Sequence, residues 1–263
     1  MDLQLNKKTV IVTASSKGLG KASALAFAKE GANVLISSRN AEELEQTVQQ
    51  IKAATGNESV RYAVCDITDE TSIKNLVQEA VDWTGRVDVL INNAGGPPAG
   101  GFEKFSDQDW YKAFELNLLS FIRLTREVLP HMRKAGGGRI INFASSSIKQ
   151  TLDNLILSNT FRAGIVGWAK SLSQELAADN ILINTVGPGR IATDRVAELD
   201  QIRADKVGKS YEELRKQTEQ SIPIGRYGNP DEFASIVVFL GSGANTYITG
   251  QSFLVDGGLV KAL

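Results

Sequence analysis

Between its first apolar run and a helix-like segment the chain reads Thr13-Ala14-Ser15-Ser16-Lys17-Gly18-Leu19-Gly20. A glycine-rich turn in that position aims backbone N–H groups and the positive end of a helix dipole at a pyrophosphate, although two glycines before a helix can also be only a tight turn. Ser38-Arg39 follows the second apolar run, and its guanidinium, with the Lys17 ammonium, could grip a further phosphate. Either cation alone is equally an ordinary solvated charge. Ser145, Ser146 and Ser147 place three hydroxyls after the fifth run, where they could orient a substrate or serve as turn residues. Ser158 and Arg162, four apart, share one helix face. An aliphatic hydroxyl is not among the ordinarily titrating groups, and arginine, which stays protonated, can stabilise negative charge but cannot relay a proton. Lys149 and Tyr227 are the remaining candidate proton donors, and His131 falls near the end of a long helical segment, away from strand ends.

Bulk properties narrow the field. At 263 residues, 42% hydrophobic and 22% charged, the chain suits one soluble domain with a sizeable core. A formal net charge of -1 lacks the basic surplus of nucleic-acid binders and of proteins that dock on anionic membranes. One cysteine, Cys65, and one histidine, His131, cannot furnish a zinc site or an internal disulfide, so no metal is expected. The first apolar stretch is too short for a signal-peptide core or a membrane span, and a cytoplasmic protein is expected.

The elements that must position these residues alternate. Seven β-branched runs, Thr9–Thr13, Asn33–Ser37, Val60–Val64, Val87–Ile91, Arg139–Phe143, Ile181–Val186 and Ser252–Val255, are separated by helical segments at 19–30, 41–54, 70–83, 107–134, 155–178 and 231–240, with Asp69 and Asp107 as caps. This predicts an α/β fold: a Rossmann-type, doubly wound, seven-stranded parallel sheet in three α/β/α layers, one domain over 1–263. A polar helical stretch at about 195–220 interrupts the alternation and is expected to be a lid over the substrate side. In such sheets ligands bind beyond the carboxyl ends of the strands, where the winding reverses.

Taken together the motifs resemble the short-chain dehydrogenase/reductase family over essentially the whole chain. The glycine turn matches that family's pattern except at Ala14. The match continues in Asp66 after the third strand, Asn92-Asn93-Ala94-Gly95 after the fourth, Asn117, Ser145, Pro188-Gly189 with Thr193, and Asp256-Gly257-Gly258. The resemblance implies a nicotinamide dinucleotide bound by Thr13, Ser15, Ser16, Gly18, Leu19 and Gly20 of the glycine turn, with Lys17, Ser38 and Arg39 at the adenosine 2′ position. Asp66 and Ile67 would meet the adenine, Asn93, Ala94 and Gly95 the ribose, and Pro188, Gly189, Ile191 and Thr193 the nicotinamide. Ala14 puts a methyl where the family has glycine; if φ is positive there, the cost is about 1–2 kcal/mol. With no acid after the second strand and cations at Lys17 and Arg39, NADP(H) is favoured over NAD(H).

By the same resemblance the catalytic positions are Ser145, Asn117, Ser158 and Arg162. Family members place a tyrosine and a lysine where this chain has Ser158 and Arg162, and the resemblance extends to a subgroup, grouped with 3-oxoacyl-acyl-carrier-protein reductases, in which that pair is likewise absent. The expected activity is hydride transfer between NADPH and a carbonyl or alcohol, handicapped about 10²–10⁴-fold if general acid catalysis is lost. Two alternatives stand beside it: a catalytically impaired NADP(H)-binding sensor or partner subunit, and an altered reaction on an anionic substrate. A homotetramer or homodimer is implied, built on helices 107–134 and 158–178.

Overall fold

The computed structural model describes residues 1–262. Its strands are β1 (Thr9–Val12), β2 (Asn33–Ser38), β3 (Val60–Val64), β4 (Val89–Asn92), β5 (Gly138–Phe143), β6 (Ile181–Pro188) and β7 (Ser252–Val255). They form one sheet in the order β3-β2-β1-β4-β5-β6-β7 with every neighbouring pair parallel. The winding reverses between β1 and β4, and the crevice expected there opens at the carboxyl ends of those two strands.

Strand side chains alternate between two cores, which is why near-continuous Val/Ile runs are needed. Val10, Val12, Ile36, Ile91, Ile141 and Phe143 pack under α1 (Gly18–Lys29), α2 (Ala41–Thr55) and α9 (Pro230–Leu240). Ile11, Leu35, Leu90, Ile140 and Ile183 pack under α3 (Glu70–Thr84), α5 (Ser120–Lys134) and α6 (Ile156–Leu176). Toward the carboxyl edge this second face turns polar: Asn92 lies opposite Asn142, and Asn142 opposite Thr185. Asn92 Nδ2 donates to Asn142 Oδ1 at 2.8 Å and to Thr125 Oγ1 at 3.2 Å.

Two expectations are corrected. The continuous helix over 107–134 is broken: α4 (Asp107–Phe114) runs into a π-helical turn at Glu115–Leu119 before α5 begins. Helical periodicity on both sides hides the extra residue, and such turns gather at functional sites. The cap of α4 is Ser106 rather than Asp107, with Asp109 closing the capping box. The stretch at 195–220 is two helices, α7 (Asp194–Val207) and α8 (Tyr211–Ser221), because Gly208 takes a φ of 66° and ends the first.

Candidate active site

The glycine turn is held by its neighbours rather than by itself. Ser15 Oγ donates to Val12 O at 2.6 Å and accepts from Ser37 N at 3.0 Å, which pins the turn to β2. Thr13 Oγ1 donates to Asn93 O at 2.7 Å and accepts from Asn93 N at 2.9 Å, and Asn93 Nδ2 donates to Ala14 O at 3.0 Å, which pins it to β4. A Cβ on Gly20 would stand 2.6 Å from Ala14 O and 2.9 Å from Asn93 Nδ2, so only glycine lets α1 approach. Ala14 adopts a φ of 46°, the strained left-handed region, so the cost foreseen from its methyl is real. The first turn of α1 carries no side-chain cap and no acid, which leaves its N–H groups facing the crevice uncompensated.

Lys17 and Arg39 are exposed and form no ion pair among the described residues. Beside Arg39 the hydroxyl of Ser38 is buried without a hydrogen-bond partner. Asp66 Oδ1 accepts from Thr68 N at 3.0 Å and from Thr68 Oγ1 at 2.8 Å. These bonds to Thr68, aided by the Arg39 charge, hold its carboxyl below the usual range. Ile67 and Ala94 are buried beside it, while a Cβ on Gly95 would meet nothing within 4 Å, so the floor after β4 is open.

At the reaction position Ser145 follows β5, and a Cβ on Gly187 of β6 would stand 2.7 Å from its carbonyl oxygen. Its Oγ accepts from Ser147 N at 3.2 Å, capping a short 3-10 turn and keeping its own proton free to donate. Ser158 is half-buried in the first turns of α6. Arg162, one turn on, is buried; Nη1 donates to Phe143 O at 2.7 Å and Nη2 to Ala94 O at 3.5 Å. No carboxylate opposes it, and burial alone lowers its pKa to about 10, so it remains a cation at neutral pH. Asn117, carried inward by the π turn, is fully buried with neither Oδ1 nor Nδ2 partnered, and Ser147 Oγ is orphaned as well. Buried amides in that state are satisfied by ordered water or a ligand.

Of the two spare proton donors, the tyrosine is held by a carboxylate. Tyr227 is buried and donates to Asp200 Oδ2 at 2.6 Å, and burial, with Asp200 second, pushes its phenol up to about 12. Lys149 is exposed beyond the 3-10 turn. What the sequence did not reveal is the role of Asp200, fully buried on α7, which also accepts from Arg190 Nη1 at 2.7 Å. Arg190 lies between Pro188-Gly189 and Thr193, so α7 is latched to the nicotinamide-end loop. Ile191 is buried and bridges to Gly228, and Ala192 N donates to Gly228 O at 2.8 Å. Thr193 caps α7, and its Cγ2 would lie 3.9 Å from a Cβ on Gly18, which places it across the crevice from the glycine turn. Side by side at the carboxyl end of the sheet are thus the glycine turn with Asn93, Arg162 with Ala94, and Thr193 with Gly18.

That arrangement has known counterparts. A family profile described as Enoyl-(Acyl carrier protein) reductase matches residues 13–260. The chain belongs to the short-chain dehydrogenase/reductase family of oxidoreductases. It is similar to the 3-oxoacyl-(acyl-carrier-protein) reductase FabG of Thermotoga maritima, with 34% identity over 260 residues covering 98% of this chain and 100% of that one. Among solved structures, L-sorbose reductase of Gluconobacter frateurii, complexed with NADPH and L-sorbose, superposes with a TM-score of 0.94 at 31% identity, with both chains covered fully. A 7α-hydroxysteroid dehydrogenase complexed with NADH superposes with a TM-score of 0.88 at 33% identity, covering 100% of this chain and 98% of that one. Short-chain dehydrogenase/reductase relatives thus bind either nicotinamide dinucleotide in the same fold. No helix among the described residues is long and apolar enough to cross a membrane.

Proposed function

We propose that this oxidoreductase prefers NADP(H) and transfers hydride between the coenzyme and the carbonyl or alcohol of a small molecule, in the manner of a 3-oxoacyl-acyl-carrier-protein reductase. The carrying observation is the pair of unpaired cations, Lys17 and Arg39, beside the buried, partnerless Ser38 hydroxyl, where an NAD-selecting acid would otherwise stand. A 2′-phosphate would find two cations and a hydroxyl donor there. The dinucleotide supplies the hydride; the chain binds and orients it. Thr13, Ser15, Gly18, Leu19 and Gly20 shape the pyrophosphate cradle, and Ser16 stands beside Lys17 on the side of the 2′-phosphate. Asp66, Ile67, Asn93, Ala94 and Gly95 line the adenosine side, and Pro188, Gly189, Ile191 and Thr193 the nicotinamide side.

At the reacting carbonyl the Ser145 hydroxyl, whose oxygen is already engaged by Ser147 N, donates to the substrate oxygen. Arg162 stabilises developing negative charge. The proton reaches the oxygen from water that Asn117 and Ser147 are free to hold, or across the Ser158 hydroxyl. A second reading, an anionic substrate, draws on one fact: Arg162 is a buried cation with no carboxylate partner. We also assign α7 and α8 the part of a lid, and a homodimer or homotetramer built on the α4–α6 face. There Trp110 and Phe114 pack on Phe161 while Tyr111 stays exposed.

The test is a coenzyme titration followed by turnover assays with NADPH against ketones, 3-oxoacyl thioesters and 2-oxo acids. Binding of NADPH with turnover that disappears in Arg162→Ala supports the enzyme; preference for the oxo acids supports the anionic substrate. Binding without any turnover points to a sensor, and failure to bind either dinucleotide overturns the reading.

A further inference from the structure

Four helices of this chain begin with a capping residue followed, three positions on, by an acid: Asn40 with Glu43, Ser106 with Asp109, Ser210 with Glu213, and Asn229 with Glu232. In three of them the acid reaches back to the N-cap N–H, at 3.0 Å from Ser106 N, 3.0 Å from Ser210 N and 2.7 Å from Asn229 N. At α2 only half of the box is made. Asn40 Oδ1 accepts from Glu43 N at 3.2 Å, but the Glu43 carboxylate turns away from its own cap and accepts the Ser16 hydroxyl at 3.0 Å. Thr47, one turn along, donates to Ser16 O at 2.7 Å, so α2 grips this residue of the glycine turn by both its oxygens.

Ser16 precedes Lys17 in the turn, and Glu43 follows Arg39 across the N-cap Asn40 in the first turn of α2. A carboxylate therefore stands among the hydroxyls and cations that a 2′-phosphate would use, yet it forms no ion pair with either cation among the described residues. We infer that Glu43 is a coenzyme-discriminating residue: it competes with the 2′-phosphate for the Ser16 hydroxyl and weakens NADP(H) relative to NAD(H). This rests on the nicotinamide-dinucleotide reading above and sharpens it. When the phosphate arrives, the Ser16 hydroxyl exchanges one anion for another, and the carboxylate released swings to the Asn40 N–H, closing the box that the other three helices already close. An unphosphorylated ribose makes no such demand, so Glu43 acts on one coenzyme and spares the other. The chain thereby holds its preference for the phosphorylated form below what Lys17 and Arg39 alone would give.

The experiment is a fluorescence titration of NADPH and NADH with the wild-type chain, Glu43→Gln, Ser16→Ala and the double variant. Glutamine also closes a capping box, so α2 keeps its start, and a melting curve for each variant checks folding. Removing one negative charge close to the phosphate should tighten NADPH by about fivefold to tenfold at low salt, less at high salt, with NADH changed by under about twofold. In the Ser16→Ala background, where Glu43 has lost its anchor and can close its own cap, the same change should shift NADPH by no more than about twofold. An unchanged NADPH-to-NADH ratio in Glu43→Gln, or an equal gain with and without the Ser16 hydroxyl, overturns the inference while leaving dinucleotide binding intact. If the wild-type chain binds neither coenzyme, the inference falls together with the reading on which it rests.

Discussion

The two halves of the crevice are built on opposite principles. In the dinucleotide turn the framework groups have partners: Thr13, Ser15 and Asn93 lock β1, β2 and β4 together through short hydrogen bonds, and the free groups, Lys17, Arg39 and the Ser38 hydroxyl, stand at its edge. Around the reaction position the groups are left wanting. Asn117 and Ser147 are buried without partners, and Arg162 is a buried cation satisfied by two carbonyls. A site whose donors are spent on its own backbone gives rigidity; one that holds unspent donors and an uncompensated charge has been kept for something that is not protein. The first half is a scaffold for a ligand common to the family, and the second is where this chain departs from it.

The strongest way to break that contrast is to restore the family's pair. Ser158→Tyr with Arg162→Lys should raise NADPH-dependent ketone reduction by about 10²–10⁴-fold, the usual worth of a positioned general acid, with NADPH affinity changed only a few-fold. Steady-state rates paired with coenzyme titrations separate the two. No gain in rate with binding intact would show that α6 no longer faces the reacting carbonyl.

The converse operation acts on the first half. Lys17→Ala and Arg39→Ala should each weaken NADPH by about 10–100-fold, as expected for a lost charge-assisted hydrogen bond of about 1.5–3 kcal/mol, and should leave NADH nearly unchanged. The salt dependence of NADPH binding should flatten in both. Equal losses for the two dinucleotides would locate these cations away from the 2′ position.

How much of this contrast was legible in the sequence follows the same line. The Val/Ile runs announced all seven strands because a strand buried on both faces tolerates little else, and the glycine turn announced the cradle because only glycine lets α1 come so close. Tertiary choices were not legible. The spacing of Asn40 and Glu43 is that of an ordinary capping box, and nothing local tells the carboxylate to prefer Ser16. Tyr227 could pass for a proton donor until Asp200, 27 residues away, was found on its hydroxyl. The π turn that buries Asn117 was hidden because the apolar rhythm on either side fits an uninterrupted helix.

Arg162 permits a test of stability rather than rate. Burial lowers its pKa to about 10 in the folded chain, below the ordinary guanidinium, so the folded state disfavours its proton. Below pH 10 the charge is present in both states and costs the fold about 3 kcal/mol, and that cost is relieved only as pH climbs above 10 toward the ordinary guanidinium range. Arg162→Met keeps the bulk and removes the charge. It should raise the melting temperature at pH 7 by roughly 2–6 °C, since about 1–2 kcal/mol remains after the lost hydrogen bonds, while abolishing turnover. A fall in melting temperature would mean that the guanidinium is a structural keystone and the two halves are built alike.

The smallest effect lies where the well-partnered half breaks its own rule. Ala14 holds a φ of 46° in the middle of the turn, a conformation that costs an L-residue about 1–2 kcal/mol. Ala14→Gly removes that strain but gives the unfolded chain more freedom, which takes back about 0.4–1 kcal/mol. The balance predicts a gain between zero and about 1.6 kcal/mol, read as a rise of at most a few degrees in melting temperature. The hydrogen bond from Asn93 to Ala14 O involves only the backbone oxygen and should survive, so NADPH affinity should stay equal or tighten slightly. Loss of stability in Ala14→Gly would show that the turn needs the stiffness of its alanine more than it suffers from the strain. In that case rigidity, which sets this half of the crevice apart, would extend to the one residue that departs from the family's glycine.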